Sequence, residues 1–124
     1  MPDKRILVID DEINVCIVIQ ACLENLGGWE TLTAFSGKEG LAIAQTQRFD
    51  AILLDVMMPD MDGITLLGEL QNNAATQGIP VIFFTAKVQS SDLAQFAKLG
   101  VAGVIAKPFE PLTLADRVAS TLGW

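Results

Sequence analysis

Histidine is absent from the 124 residues. The chain therefore has no imidazole for metal binding or for acid–base work near neutral pH, and it cannot itself carry a phosphohistidine. Cations are scarce: 8 Lys and Arg stand against 15 Asp and Glu, a net charge of −7. With no long basic stretch, this domain is not expected to bind nucleic acid. No apolar run approaches the roughly 20 residues of a membrane span. The opening Met-Pro-Asp-Lys-Arg leads straight into a strand pattern and leaves no room for a signal peptide. The only cysteines, Cys16 and Cys22, fall on one predicted helix. They lie about 9 Å apart along its axis and on different faces, too far for a disulfide. They read as small core or near-core residues of a chain in a reducing, cytoplasmic compartment.

What is present is a packed α/β domain. Half the residues are apolar (51%), and the length suits one domain over residues 1–124. Strand patterns near 5–10, 30–34, 50–55, 80–85 and 102–106 alternate with helix patterns near 13–26, 37–47, 63–72, 91–99 and 111–122. Gly27-Gly28 reads as the C-cap of the first helix, Ser36-x-x-Glu39 as a capping box and Pro111 as a first helical position. Residues 71–78 read as a surface connection. Right-handed crossovers favour a doubly wound, five-stranded parallel sheet with helices on both faces.

Four strand ends carry the chemistry. Ile6-Leu7-Val8-Ile9 runs into Asp10 and Asp11, and Ala51-Ile52-Leu53-Leu54 into Asp55. Val81-Ile82-Phe83-Phe84 runs into Thr85, and Gly103-Val104-Ile105-Ala106 into Lys107. If the strands are parallel, all these ends lie on the ligand-binding edge of the sheet. Each has an ordinary explanation alone. Asp11 could N-cap the first helix, Asp55 could be a turn residue, Lys107 could be a structural ion pair, and Thr is common in strands. Together, three carboxylates on one edge repel one another and call for a cation. Hard oxygens with no thiolate or imidazole in reach select Mg²⁺, or Mn²⁺, over zinc. An ammonium and a hydroxyl beside a metal are what phosphoryl transfer to a carboxylate needs.

On these motifs the chain resembles the receiver domains of bacterial two-component response regulators, CheY-like proteins, from end to end. The segments that carry the likeness are Ile6-Leu-Val-Ile-Asp-Asp-Glu12, Asp55-Val-Met-Met-Pro-Asp-Met-Asp-Gly63, Phe84-Thr-Ala86 and Lys107-Pro-Phe109. The resemblance implies a flavodoxin-like sheet of order 2-1-3-4-5. It implies Asp55 as phosphoacceptor, Asp10, Asp11, Asp55 and the Met57 carbonyl as metal ligands, Thr85 as switch hydroxyl and Lys107 as partner of a phosphoryl oxygen. It also implies a cis Lys107–Pro108 bond, and a sensor histidine kinase or histidine phosphotransfer protein as partner. Such a domain is a switch that catalyses only its own phosphorylation and dephosphorylation.

Two positions depart from the family pattern. Val104 stands where the family has an aromatic ring that follows the switch hydroxyl. Ala102-Gly103 replaces acids used in one kind of dimer, so that dimer has no support here. On the first helix, Val15, Val18, Ile19, Cys22 and Leu26 read as the core stripe. Ile13 and Ile17 fall opposite, beside the pocket where the family receives its phosphodonor. Two other functions are compatible with parts of this pattern. A phosphorylation-independent interaction module would keep only the fold. A haloacid-dehalogenase-type phosphatase also uses a strand-end Asp and Mg²⁺, but needs Asp-x-Asp after its first strand and normally a cap.

Overall fold

The structure is a computed structural model that describes residues 4–124; the reading of the first three residues lies outside it. The elements alternate as expected: β1 (Arg5–Ile9), α1 (Ile13–Asn25), β2 (Glu30–Ala34), α2 (Gly37–Thr46), β3 (Ala51–Asp55), α3 (Gly63–Gln71), β4 (Val81–Thr85), α4 (Ser90–Ala97), β5 (Gly103–Ala106) and α5 (Leu114–Leu122). All pairings are parallel and the sheet order is β2-β1-β3-β4-β5. Alternate residues of the central strands feed two cores, because successive side chains point to opposite faces. Leu7, Ile9, Ile52, Leu54 and Phe83 pack beneath α2, α3 and α4. Ile6, Val8, Leu53, Ile82, Phe84 and Ile105 pack beneath α1 and α5. Burial on both faces is why these runs are continuously apolar.

Several local expectations are corrected. The inward arc of α1 is Cys16, Ile19, Cys22 and Leu23, while Val18 and Leu26 are 42% and 55% exposed and Val15 is half-buried. The predicted stripe was thus rotated by about one residue. From Ile13 to Ile19 only Asn14 is polar, so apolarity alone could not set the helix phase. Cys16 and Cys22 share one core rather than occupying different faces, and both thiols are free. Glu12, not Asp11, is the N-cap residue of α1. Its N–H donates to Asp10 Oδ1 at 2.9 Å.

The capping box of α2 is shifted by one residue on one side. Ser36 Oγ accepts from Glu39 N at 3.1 Å, but the Glu39 carboxylate takes the N–H of Phe35 at 2.7 Å. Pro111 opens a 3₁₀ turn, Pro111–Thr113, and α5 follows it. The 71–78 connection is not purely superficial: Thr76 is buried and its hydroxyl donates to the Leu70 carbonyl at 2.6 Å. The Lys107–Pro108 peptide bond is cis, as the resemblance implied.

Candidate functional site

Parallel pairing puts the C-terminal ends of β1, β3, β4 and β5 on one edge, and the sequence-predicted residues meet there. Asp10 and Asp55 are buried and the Asp11 carboxylate is exposed; oxygens of all three lie within 4.8 Å of one another. Lys107 reaches this cluster from β5. Its Nζ lies 2.7 Å from Asp10 Oδ2, 3.5 Å from Asp55 Oδ1 and 3.6 Å from Glu12 Oε1. Thr85 is fully buried, and its Oγ1 accepts the N–H of Lys87 at 3.0 Å. That bond leaves the hydroxyl proton free to be aimed elsewhere. Met57 follows Asp55 in the loop, its N–H donating to Asp55 Oδ1 at 3.2 Å and its side chain facing solvent.

The electrostatics are those of an under-compensated acidic pocket. Burial, and then the nearby Asp10 charge, push the Asp55 carboxyl up to about 7 against the opposing pull of Lys107. Burial also works against the charge on Lys107, yet its hydrogen bond to Asp10 and the charges of Asp10, Asp55 and Glu12 outweigh this and raise its pKa. With Asp10, Asp11 and Asp55 all ionised, their charge exceeds that of Lys107 by two, the charge of one divalent cation. The donor set fits a hard ion. The Cys16 thiol donates to the Asp10 carbonyl at 3.3 Å. Burial pushes that thiol up to about 12, and it is not among the groups whose ligand atoms meet.

Two neighbours were not picked out from the sequence. Glu12 adds a fourth carboxylate near Lys107. Asp60, in the loop after β3, accepts the N–H groups of Gly37 and Lys38 at 3.2 Å each and so caps α2 across the site. Those two backbone donors help hold its carboxyl below the usual range. Nothing local in the sequence marks this pairing, since the partners are 23 and 22 residues away. Gly63 closes the motif that starts at Asp55. A Cβ there would sit 2.6 Å from the Asp55 carbonyl oxygen, so only glycine lets α3 start this close to the Asp55 backbone.

The family comparison agrees with this geometry. Residues 6–119 match the model of the response regulator receiver domain, and the chain belongs to that family. It is a two-component receiver domain, not a haloacid dehalogenase. Among individual relatives it is 36% identical over 120 residues to the alkaline phosphatase synthesis transcriptional regulatory protein PhoP of Bacillus subtilis, covering 97% of this chain and 49% of PhoP. The chain thus spans about half the length of that curated relative. A putative response regulator from Chloroflexus aurantiacus superposes over the whole of both chains with a TM-score of 0.88 and 31% identity. The receiver domain of sensor histidine kinase PA1611 from Pseudomonas aeruginosa, solved with a magnesium ion in its active-site cleft, matches with a TM-score of 0.84 and 28% identity over 98% of each chain. Receiver domains are regulatory switch domains that bind Mg²⁺ in an acidic pocket and work with sensor histidine kinases; this chain has the acidic cluster. Among the described residues, no helix is long and apolar enough to cross a membrane.

Proposed function

We propose that Asp55 is the phosphoacceptor of this receiver domain, taking its phosphoryl group from a histidine on a partner protein. The observation that carries the reading is the convergence of Asp10, Asp11 and Asp55 within 4.8 Å with Lys107 reaching two of them. No histidine occurs in these 124 residues, so the donor histidine lies outside them, on a sensor kinase or histidine phosphotransfer protein. The Asp55 carboxylate forms an O–P bond as the N–P bond of the donor breaks, and the imidazole departs with the bonding pair. Lys107, already charged, turns from the carboxylates toward a phosphoryl oxygen. Thr85 offers its hydroxyl proton to another.

Asp10, Asp11, Asp55 and the Met57 carbonyl would hold Mg²⁺, or Mn²⁺. When bound, the ion neutralises the clustered carboxylates and withdraws charge from the phosphoryl oxygens. The domain turns over no external substrate; its product is its own acyl phosphate, and its output is a changed interaction surface. Ile13 and Ile17, 56% and 58% exposed on the outer side of α1, form the apolar contact for the donor. The site of action is the cytoplasm.

The test is phosphate incorporation from acetyl phosphate or a phosphorylated histidine protein. Mg²⁺-dependent label that hydroxylamine releases, and that Asp55→Asn abolishes, is the expected result. Label that survives in Asp55→Asn would place the acceptor elsewhere. No label with either donor would favour a phosphorylation-independent interaction module.

A further inference from the structure

The sheet order sets a problem for Lys107. Its backbone follows β5, but its ammonium reaches Asp55 on β3 and Asp10 beyond β1, so its side chain must cross β4. Adjacent strands are about 4.8 Å apart, which makes this a traverse of roughly 10 Å from β5 to β3. The residue in its path is Phe84. In the strand register Phe84 is opposite Asp55 on one side and Ile105 on the other. Asp55 lies two residues after Leu53, so both project to the α1/α5 face on which Phe84 is buried.

The ring lies directly along the route. Lys107 Nζ is 5.1 Å from the Phe84 centroid, within range of the attraction between a cation and an aromatic face. Phe109 braces that ring from the loop after β5, with centroids 5.1 Å apart and planes tilted by 57°. Beside it opens a cavity of about 330 Å³ lined by Glu12, Val15, Phe84, Ala86, Lys107 and Phe109, together with Pro108. On that side packed neighbours do not confine the ammonium, and Glu12 offers it an alternative carboxylate at 3.6 Å.

We infer that Phe84 is a positioning residue for phosphoryl transfer: its ring carries Lys107 across β4 and keeps the ammonium between Asp10 and Asp55 rather than in the cavity. The inference rests on the reading of Asp55 as acceptor and Lys107 as phosphoryl partner. An aliphatic residue would keep the core apolar but remove the ring face, and Lys107 would sample the cavity and Glu12. Phe84→Tyr keeps the ring face.

The experiment measures the rate of phosphate incorporation as a function of acetyl phosphate concentration, with Mg²⁺ present. It uses the wild-type chain, Phe84→Leu and Phe84→Tyr, each also in the Lys107→Ala background. Phe84→Leu is expected to lower the maximal rate about five-fold, the size of a partly desolvated cation–aromatic contact. The half-saturating donor concentration should stay within about two-fold, and Phe84→Tyr should restore the rate. In the Lys107→Ala background Phe84→Leu should have no further effect, because there is no ammonium left to position.

An equal loss in both backgrounds would show that Phe84 acts only as core packing, and an unchanged rate in Phe84→Leu would show that it does not act at all; either overturns the inference. If Phe84→Leu does not fold, Phe84→Met, nearer in volume and also without a ring, takes the same test. A wild-type chain that takes no phosphate would overturn the acceptor reading and this inference with it. A phosphorylated wild type with an unaffected Phe84→Leu overturns the inference alone.

Discussion

Lys107 is bound more closely to Asp10 than to Asp55: its Nζ is 2.7 Å from Asp10 Oδ2 and 3.5 Å from Asp55 Oδ1. The Lys107 ammonium is therefore largely committed to a carboxylate other than the proposed acceptor. Asp55 is left buried beside the Asp10 charge, and its pKa is pushed up to about 7. A divalent cation bound to the cluster would favour the ionised form of Asp55.

Stability should therefore fall with rising pH when Mg²⁺ is absent. Unfolded, Asp55 ionises near the ordinary 3.8; folded, it holds its proton to about 7. Between these values the native state binds the extra proton, so raising the pH destabilises it, and the loss is complete above about 7. Mg²⁺ binds the ionised form and should raise the melting temperature more at pH 8 than at pH 5. Melting curves at both pH values, with and without Mg²⁺, check this. An equal Mg²⁺ effect at the two pH values would mean Asp55 titrates elsewhere.

Asp55→Asn should be more stable than the wild type at pH 8 without Mg²⁺, by on the order of 2 kcal/mol, because an amide of the same shape carries no buried charge. The difference should shrink at pH 5, where the wild-type carboxyl is mostly protonated. Urea unfolding at the two pH values measures it. A variant less stable than wild type at pH 8 would mean that Lys107 stabilises the Asp55 charge more than burial penalises it.

Asp11 has no hydrogen bond to another residue among the described residues, yet its carboxylate is within reach of the other two. Asp11→Asn should consequently leave the melting temperature of the metal-free protein within about 2 °C of wild type, while weakening Mg²⁺ binding at least about ten-fold, since one charged oxygen donor is lost. Metal titration followed by calorimetry decides it; unchanged affinity would remove Asp11 from the ligand set.

How much of this was legible in the chain depends on range. Asp10, Asp11, Asp55, Thr85 and Lys107 could be brought together on paper because parallel strands deliver their C-terminal ends to one edge whatever the loop details. The phase of α1 could not, because from Ile13 to Ile19 only Asn14 breaks the apolar run. Packing on β1, β3 and α5 chose Cys16, Ile19 and Leu23 as the inward side. Asp60 capping α2 and Phe84 lying beneath Lys107 are contacts between distant segments with no local signature. Ile13 and Ile17 were placed outward correctly even though the stripe opposite them was rotated by a residue, since an arc that wide tolerates the error.

That outward pair gives a prediction about partner choice. Ile17→Glu should slow transfer from a phosphorylated histidine protein by about ten-fold or more, because an apolar contact is replaced by a charge to be desolvated. It should leave the rate with acetyl phosphate within about two-fold, since Ile17 does not line the acidic pocket. Comparing the two donors side by side separates docking from chemistry. Equal slowing with both would locate the damage inside the pocket and remove this face as the docking surface.

The last prediction concerns the switch. Thr85 Oγ1 accepts a hydrogen bond from Lys87 N at 3.0 Å, so moving this hydroxyl toward a phosphoryl oxygen pulls on the 86–90 loop directly. The residue that could carry the motion further, Val104, lies opposite Phe83 in the register and is half-buried against the α2–α4 core. It has no ring to swing, and its χ1 is stiff. A ligand shifts a conformational equilibrium only by its differential affinity for the two states. With no large side chain to change rotamer, the displaced volume is confined to the loop and the first turn of α4. Backbone amide shifts on adding beryllofluoride, an acyl phosphate mimic, with Mg²⁺ should be large at residues 85–92 and small across α5. Val104→Tyr should extend the response into β5 and α4. Large shifts throughout α5 in the wild-type chain would show that another element replaces the aromatic, and the loop-confined switch would be wrong.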